Sequence, residues 1–208
     1  MEEIEFDFLI DDLPKILTSI KIGSERIREI VESLRNFSRL DESEIKSVDI
    51  HSGIDSTLLI LQHRLKGYAR YSDLKVIKKY GQLPLVKCYA SELNQVFMNI
   101  ISNAIDAFQQ ALESDSDLKK ERTITITISC QDDRKIQMKI VDNGLGMNKS
   151  VQHRIFDPFF TTKPVGKGTG LGLSVSYSII VEKHRGQLIC NSVLGEGTEF
   201  LIEIPVSI

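Results

Sequence analysis

The sequence has little of what would send a chain out of the cell, into a bilayer or onto a polyanion. Its three cysteines, Cys88, Cys130 and Cys190, lie far apart, are odd in number and form no Cys-x-x-Cys pair. That argues against a disulfide framework or a zinc site and for a reducing compartment. No apolar run approaches the roughly 20 residues that span a bilayer. The first residues, MEEIEFDFLIDD, are acidic and do not read as a secretory leader. A net charge of −3 over 208 residues offers no general attraction to nucleic acid or anionic lipid. Internal repeats and low-complexity tracts are absent. What remains is an ordinary globular balance, 41% hydrophobic and 26% charged. A unit of about 150 residues buries roughly 70% of its unfolded surface, so a stable core is feasible.

The pattern changes near residue 47. Before it, Ile27, Ile30, Val31, Leu34 and Phe37 recur at three- and four-residue steps and make one apolar helical face. Gly23-Ser24 marks a helix start or kink, with Ser24 as its candidate cap. Phe8, Leu9, Leu13, Ile16 and Leu17 suggest an earlier short helix with Pro14 in its first turn. Such an amphipathic helix packs either on the rest of the chain or on a second copy in a bundle.

After residue 47, helix and strand periods mix. Residues 51–65 and 92–112 read as helices, and 174–183 as a shorter one. Lys75 to Lys79 and Leu85 to Cys88 read as strands around a Gly81 turn. The TITITISC run at 123–130 alternates strictly, as do Ile136, Met138 and Ile140. Leu188 to Ser192 and Glu199 to Ile204 supply two more strands. The expected fold is α+β: a two-layer α/β sandwich with a mixed, mostly antiparallel sheet and helices on one face.

Four segments carry chemistry. On the helix at 92–112, Asn99, Asn103 and Asp106 form one polar stripe among Leu93, Val96, Ile100 and Ile105. Buried without partners, such amides are costly, so the stripe faces either water or a ligand. In IVDNGLGM a strand ends in Asp142, followed by Gly144 and Gly146. A carboxylate fixed there can accept a hydrogen bond from an exocyclic amine, although Asn-Gly is also a common turn. In IFDPFFTTKPVGKGTGLGLS, four glycines within seven residues run into a helix. Backbone N–H groups and a positive helix end suit phosphates, and the glycines suit a lid. Lys163 and Lys167 lie in that lid, available to phosphate or to water. Last, Gly195-Glu-Gly-Thr198 turns into the final strand, with Thr198 at its mouth.

The order and spacing of these segments resemble a known family. NQVFMNIISNAIDA is similar to the N box of sensor histidine kinases, VDNGLGM to the first glycine box and IFDPFFTTK to the phenylalanine-rich box. GKGTGLGLS and GEGTEF are similar to the second and third glycine boxes. The superfamily includes gyrase, mismatch-repair and heat-shock-chaperone ATPases, and its fold is the Bergerat type. The resemblance covers about residues 48 to 207. RIREIVESLRNFSRLDESEIKSVDI resembles the second helix of a dimerisation stalk and its linker. The implied organisation is a partial stalk at 1–46 and a catalytic ATP-binding domain at 47–208.

The resemblance implies that Asn103 supplies an oxygen ligand to Mg²⁺, a cation that keeps few protein ligands beside phosphate and water oxygens. Asp142 would read the adenine amine, with Gly144 and Gly146 shaping the base pocket and Thr198 at its edge. Gly168, Gly170, Leu171 and Gly172 would form the lid and the phosphate-binding helix start. Met147, Thr161, Thr162 and Thr169 complete the ATP-binding set, together with Asn99, Asp106, Lys163 and Lys167. Asn99 and Lys163 are the catalytic candidates. Phe156, Phe159 and Phe160 would anchor the lid by packing. Gyrase-type ATPases carry a glutamate where Asn99 stands, and an amide cannot act as a base, which favours a kinase over an autonomous ATPase or switch. The family's acceptor is a histidine followed by an acidic residue. Here His51, His63, His153 and His184 precede Ser52, Arg64, Arg154 and Arg185, so no acceptor is expected in this chain. The implied partners are a response-regulator receiver domain and a second copy of the full-length protein. Nucleic acid is not among them, the setting is cytoplasmic, and membrane attachment would come only from upstream segments. A module that merely recruits a partner is the rival from another class, and it needs no nucleotide.

Overall fold

Alternation along the strands at 123–131 and 135–142 decides which face of the sheet is buried. In the computed structural model, which describes residues 44–66, 74–113, 121–131, 134–164, 168–208 and scattered positions between 12 and 24, the strands run as follows. They are β1 (Lys46–Val48), β2 (Lys75–Tyr80), β3 (Val86–Cys88), β4 (Thr123–Gln131), β5 (Lys135–Asp142), β6 (Gln187–Val193) and β7 (Gly197–Pro205). The helices are α1 (Ile50–Ile60), α2 (Gln62–Lys66), α3 (Ala90–Glu113), α4 (Lys149–Gln152) and α5 (Gly172–Tyr177), which continues as a π-helix over Ser178–Lys183.

Five strands form one sheet in the order β2-β4-β5-β7-β6, and β1 pairs with β3 in a small second sheet. Within the larger sheet only β2 and β4 run parallel among the described residues. Inward-facing Ile124, Ile126 and Ile128 of β4, Ile136, Met138 and Ile140 of β5, and Phe200, Ile202 and Ile204 of β7 are buried. They meet Val96, Phe97, Ile100, Ile101, Ile105 and Phe108 of α3 and Ile54 and Leu58 of α1 in one core. Each such side chain contributes about 1.5–3 kcal/mol when fully buried. This is the two-layer sandwich that the alternation predicts.

Several boundaries differ from expectation. The helix at 51–65 divides at Leu61 into α1 and α2, with Asp49 capping α1 through the His51 N–H at 2.9 Å. Gly81 does not turn β2 back onto β3. Its N–H donates to Ile128 O at 2.9 Å, carrying the β2–β4 ladder one residue further, and β3 pairs with β1 instead. The helix expected from Ser174 begins at Gly172. Its π turn ends at His184, which is fully buried with Nδ1 2.8 Å from Ile179 O and Nε2 accepting the Tyr89 N–H at 3.2 Å. Burial holds this imidazole below its ordinary pKa, so it stays neutral.

Before residue 44, Asp12, Leu13, Lys15, Ile16, Leu17, Ile20, Lys21 and Ser24 are the described residues, and they are helical. Ser24 therefore has helical backbone itself, where a cap would stand just outside the helix. The amphipathic run from Ile27 to Phe37 lies outside the described residues. Among the described residues no helix is long and apolar enough to cross a membrane.

Candidate functional site

Between α3 and the ends of β5 and β7 lies a cleft of about 700 Å³. Its polar wall is the α3 stripe. Asn99, Asn103 and Asp106 all line it, so the stripe faces the cleft rather than open solvent. Asn99 Nδ2 donates to Gly172 O at 2.9 Å and to Ser176 Oγ at 3.1 Å, tying α3 to the start of α5.

The opposite end is set by strand pairing. Asp142 closes β5 and lies in register with Thr198 of β7. The residue is only 6% exposed, and its Oδ1 accepts the Gly144 N–H at 2.9 Å. Burial raises its pKa from 3.8 to about 6, while the backbone N–H bonds from Gly144 and Thr198 pull the other way. It is therefore mostly ionised at neutral pH, at a cost in stability. Two glycines let the chain close around it. A Cβ on Gly146 (φ +63°) would stand 2.0 Å from Val193 O, and one on Gly197 (φ +126°) 2.0 Å from Asp142 O. Only glycine satisfies both the left-handed backbone and that approach.

Ser192 joins these parts. Its hydroxyl accepts the Met147 N–H at 2.8 Å, donates to Gly197 O at 2.9 Å and lies 2.9 Å from Thr198 Oγ1. Ser192 is not among the residues singled out from the sequence, though a serine at an inward position after Leu188 and Cys190 was its signal. Also missed were the apolar walls, including Leu145, Ile155, Leu194 and Phe200. Their pattern is indistinguishable from core, except that Phe200 stands two residues beyond Thr198 on the same strand.

The lid supplies the remaining side. Thr161, Thr162, Lys163, Gly168, Thr169, Gly170 and Gly172 all line the cleft, as do Gly146, Met147, Asp142 and Thr198. Lys163 Nζ reaches Asn103 Oδ1 at 3.1 Å and Asp106 Oδ2 at 2.5 Å, and Arg64 of α2 pairs with the other Asp106 oxygen. Asn103 Oδ1 and the Asp106 carboxylate thus converge on one cationic point. Hard oxygen donors of this kind fit Mg²⁺.

Two expected positions fall elsewhere, and a third is not among the described residues. Gly144 is behind the cleft wall, where a Cβ would meet Asp142 Oδ1 at 2.9 Å and Ala107 Cβ at 3.2 Å, and it acts only through its N–H. Leu171 is the N-cap of α5 and does not line the cleft. Lys167 lies outside the described residues. The phenylalanines also divide. Phe156 packs on Tyr177 with centroids 5.2 Å apart, whereas Phe160 lines the cleft beside Arg154. Phe159 anchors nothing by its side chain, being 75% exposed at φ 66°.

Residues 88–208 match the model of the histidine kinase-, DNA gyrase B-, and HSP90-like ATPase family, and the chain belongs to that family. The two-component sensor PprA of Pseudomonas aeruginosa is 31% identical over 88% of this chain and 19% of its own length. Sporulation kinase E of Bacillus subtilis is 38% identical over 68% of this chain and 18% of its own. The chain thus spans about a fifth of these curated relatives. The nucleotide-free catalytic domain of the histidine kinase ThkA superposes with a TM-score of 0.64 at 24% identity, covering 79% of this chain and 97% of that one. ThkA solved in complex with the response regulator TrrA matches with a TM-score of 0.60 at 21% identity, over 94% of this chain and 52% of that one. The fold is that of histidine-kinase catalytic domains.

Proposed function

We propose that the cleft binds Mg-ATP and that the chain is the catalytic part of a two-component sensor histidine kinase. It would pass the γ-phosphoryl to a histidine outside this sequence, and thence to an aspartate of a response-regulator receiver domain. One observation carries the reading: a buried carboxylate at a strand end, an amide stripe and a glycine lid surround a single cleft.

The chemistry follows from these groups. Asp142 keeps acceptor capacity beyond its bond from Gly144 and takes a hydrogen bond from the adenine amine at the base end. The apolar walls cover the faces of the base. Asn103 and Asp106 are the oxygens that would hold Mg²⁺, which supplies charge neutralisation for the phosphates. Lys163 adds a positive charge. Asn99 cannot take a proton from water, so the chain positions the γ-phosphoryl without activating its hydrolysis. None of the four histidines suits the acceptor role. His184 has both ring nitrogens engaged in the core, and His51 is stacked on Tyr80. The solved complex of ThkA with its regulator supports the receiver domain as partner. Pairing of two copies through residues 1–46 and a cytoplasmic setting belong to the same reading.

Calorimetric titration of Mg-ATP into the wild type and Asp142→Ala tests it. Micromolar binding corresponds to about −8 kcal/mol, and loss of one hydrogen bond to a charged group weakens it roughly ten- to a hundredfold. A folded wild type that binds no nucleotide would favour the partner-recruiting module instead. An acid-labile phosphoryl group accumulating on this chain alone would contradict the external acceptor.

A further inference from the structure

An acidic side chain on the wall meant for a polyphosphate is a contradiction unless something offsets it. Asp106 is such a residue. It lines the cleft, is partly buried and stands one helical turn beyond Asn103. Arg64 pairs with one of its oxygens from outside the cleft wall, and Lys163 holds the other at 2.5 Å. The lysine also meets Asn103 Oδ1 at 3.1 Å. The amide oxygen offered to a metal is therefore already engaged by an ammonium group. The lid keeps the lysine there. A Cβ on Gly168 would stand 3.1 Å from Lys163 Cδ and 3.2 Å from its Cβ, so the returning limb of the lid rests on the lysine stem. The outgoing limb contributes Thr161, whose Oγ1 accepts the Lys163 N–H at 3.1 Å.

We propose that Lys163 acts as a resident counter-cation, holding the point where Asn103 Oδ1 and Asp106 converge until metal–nucleotide enters, and that Asp106 thereby sets how strongly binding depends on the metal. The inference rests on the nucleotide reading above. When Mg-nucleotide binds, Lys163 yields that point and its ammonium turns to the phosphates, so entry is an exchange of cations. Arg64 stays behind Asp106 as a positioning residue. Without metal, Lys163 is the only cation of the described residues lining the cleft, and it must screen both Asp106 and the phosphates.

The two members of the pair therefore have opposite effects on one ratio, the affinity for ADP with Mg²⁺ divided by that with EDTA. ADP is titrated calorimetrically into the wild type, Lys163→Met and Asp106→Asn in both buffers, with thermal unfolding as the control on folding. Lys163→Met leaves Asp106 facing phosphate with only Arg64 behind it in EDTA, and the ratio rises about tenfold. Asp106→Asn removes both the repulsion and one metal-facing oxygen, and the ratio falls at least about threefold. Arg64→Gln removes the cation behind Asp106 and shifts the ratio in the Lys163→Met direction by less. A purely structural ion pair would weaken ADP equally in both buffers in both variants, and that result, or a ratio moving the same way in both, overturns the proposal. A wild type that binds ADP in neither buffer overturns the nucleotide reading itself, a distinct outcome.

Discussion

The two ends of the cleft are held in different ways. At the end proposed to take the base, position is fixed by paired backbone. Asp142 and Thr198 are register partners, and Gly146 and Gly197 allow carbonyl oxygens within a side chain's radius. At the lid end, position is fixed by side chains. Lys163 is held by Asn103 and Asp106, and Asn99 ties down the start of α5. Recognition of a flat base requires a geometry that does not move. Admission of a triphosphate requires contacts that can be exchanged at small cost. The contrast teaches that the most buried charge of this site, Asp142, rests on paired backbone, whereas the charges at the lid end are offset by one another.

The comparison breaks most severely at Gly197. With φ at +126° and Asp142 O 2.0 Å from any Cβ, Gly197→Val is expected to cost about 3 kcal/mol or more, read as a lower urea midpoint. An unchanged midpoint would mean that the base end is not fixed by backbone.

Asp142→Asn comes next and separates stability from binding. The folded-state pKa of about 6 lies above the unfolded 3.8, so the folded chain holds this proton more tightly. Stability therefore falls as pH rises from about 4 to 6, and the full cost is present above about 6. The amide variant loses a cost on the order of 1–3 kcal/mol at pH 8 and changes little at pH 4. The same variant should bind ATP roughly ten- to a hundredfold more weakly. Wild-type affinity should weaken as pH drops below about 6, where the variant's stays flat. Matching pH profiles in the two proteins would remove Asp142 from the base-binding role.

At the lid end, Asn99→Ala deletes two hydrogen bonds to α5, worth about 0.5–1.5 kcal/mol each. A drop of a few degrees in Tm and a few-fold loss of nucleotide affinity are expected. The smallest effect belongs to Leu171, which is 37% exposed and outside the cleft. Leu171→Ser should stay within about 0.5 kcal/mol in stability and leave ATP affinity unchanged. A large loss of affinity there would restore the direct contact that the resemblance implies.

The same contrast explains what was readable in the sequence. Thr/Ile alternation in β4 announces a half-buried strand because one face meets α3 and the other meets water. The α3 stripe was readable as a position but not as a direction, since Asn99 and Asn103 could equally have faced solvent. The parallel pairing of β2 with β4 was not readable, because strand partners separated by β3 and α3 leave no hairpin signature. Nor was the split among the phenylalanines. Phe159 and Phe160 are adjacent and chemically identical, and only a left-handed backbone at Phe159 sends one outward and leaves the other in the cleft. Arg64 could not be found either. Its partner Asp106 is 42 residues away, and nothing local connects them.

The most direct measurement is amide chemical-shift mapping by nuclear magnetic resonance as Mg-ADP is added to the chain. Shifts are expected at Gly144 and Thr198 at the base end and over residues 161–170 and Gly172 at the lid end. None is expected around the separate cavity of about 320 Å³ beside Ser52 and Asn94. Shifts centred on that second cavity, or no shifts at Gly144 and Thr198, would contradict a nucleotide site built between α3 and the ends of β5 and β7.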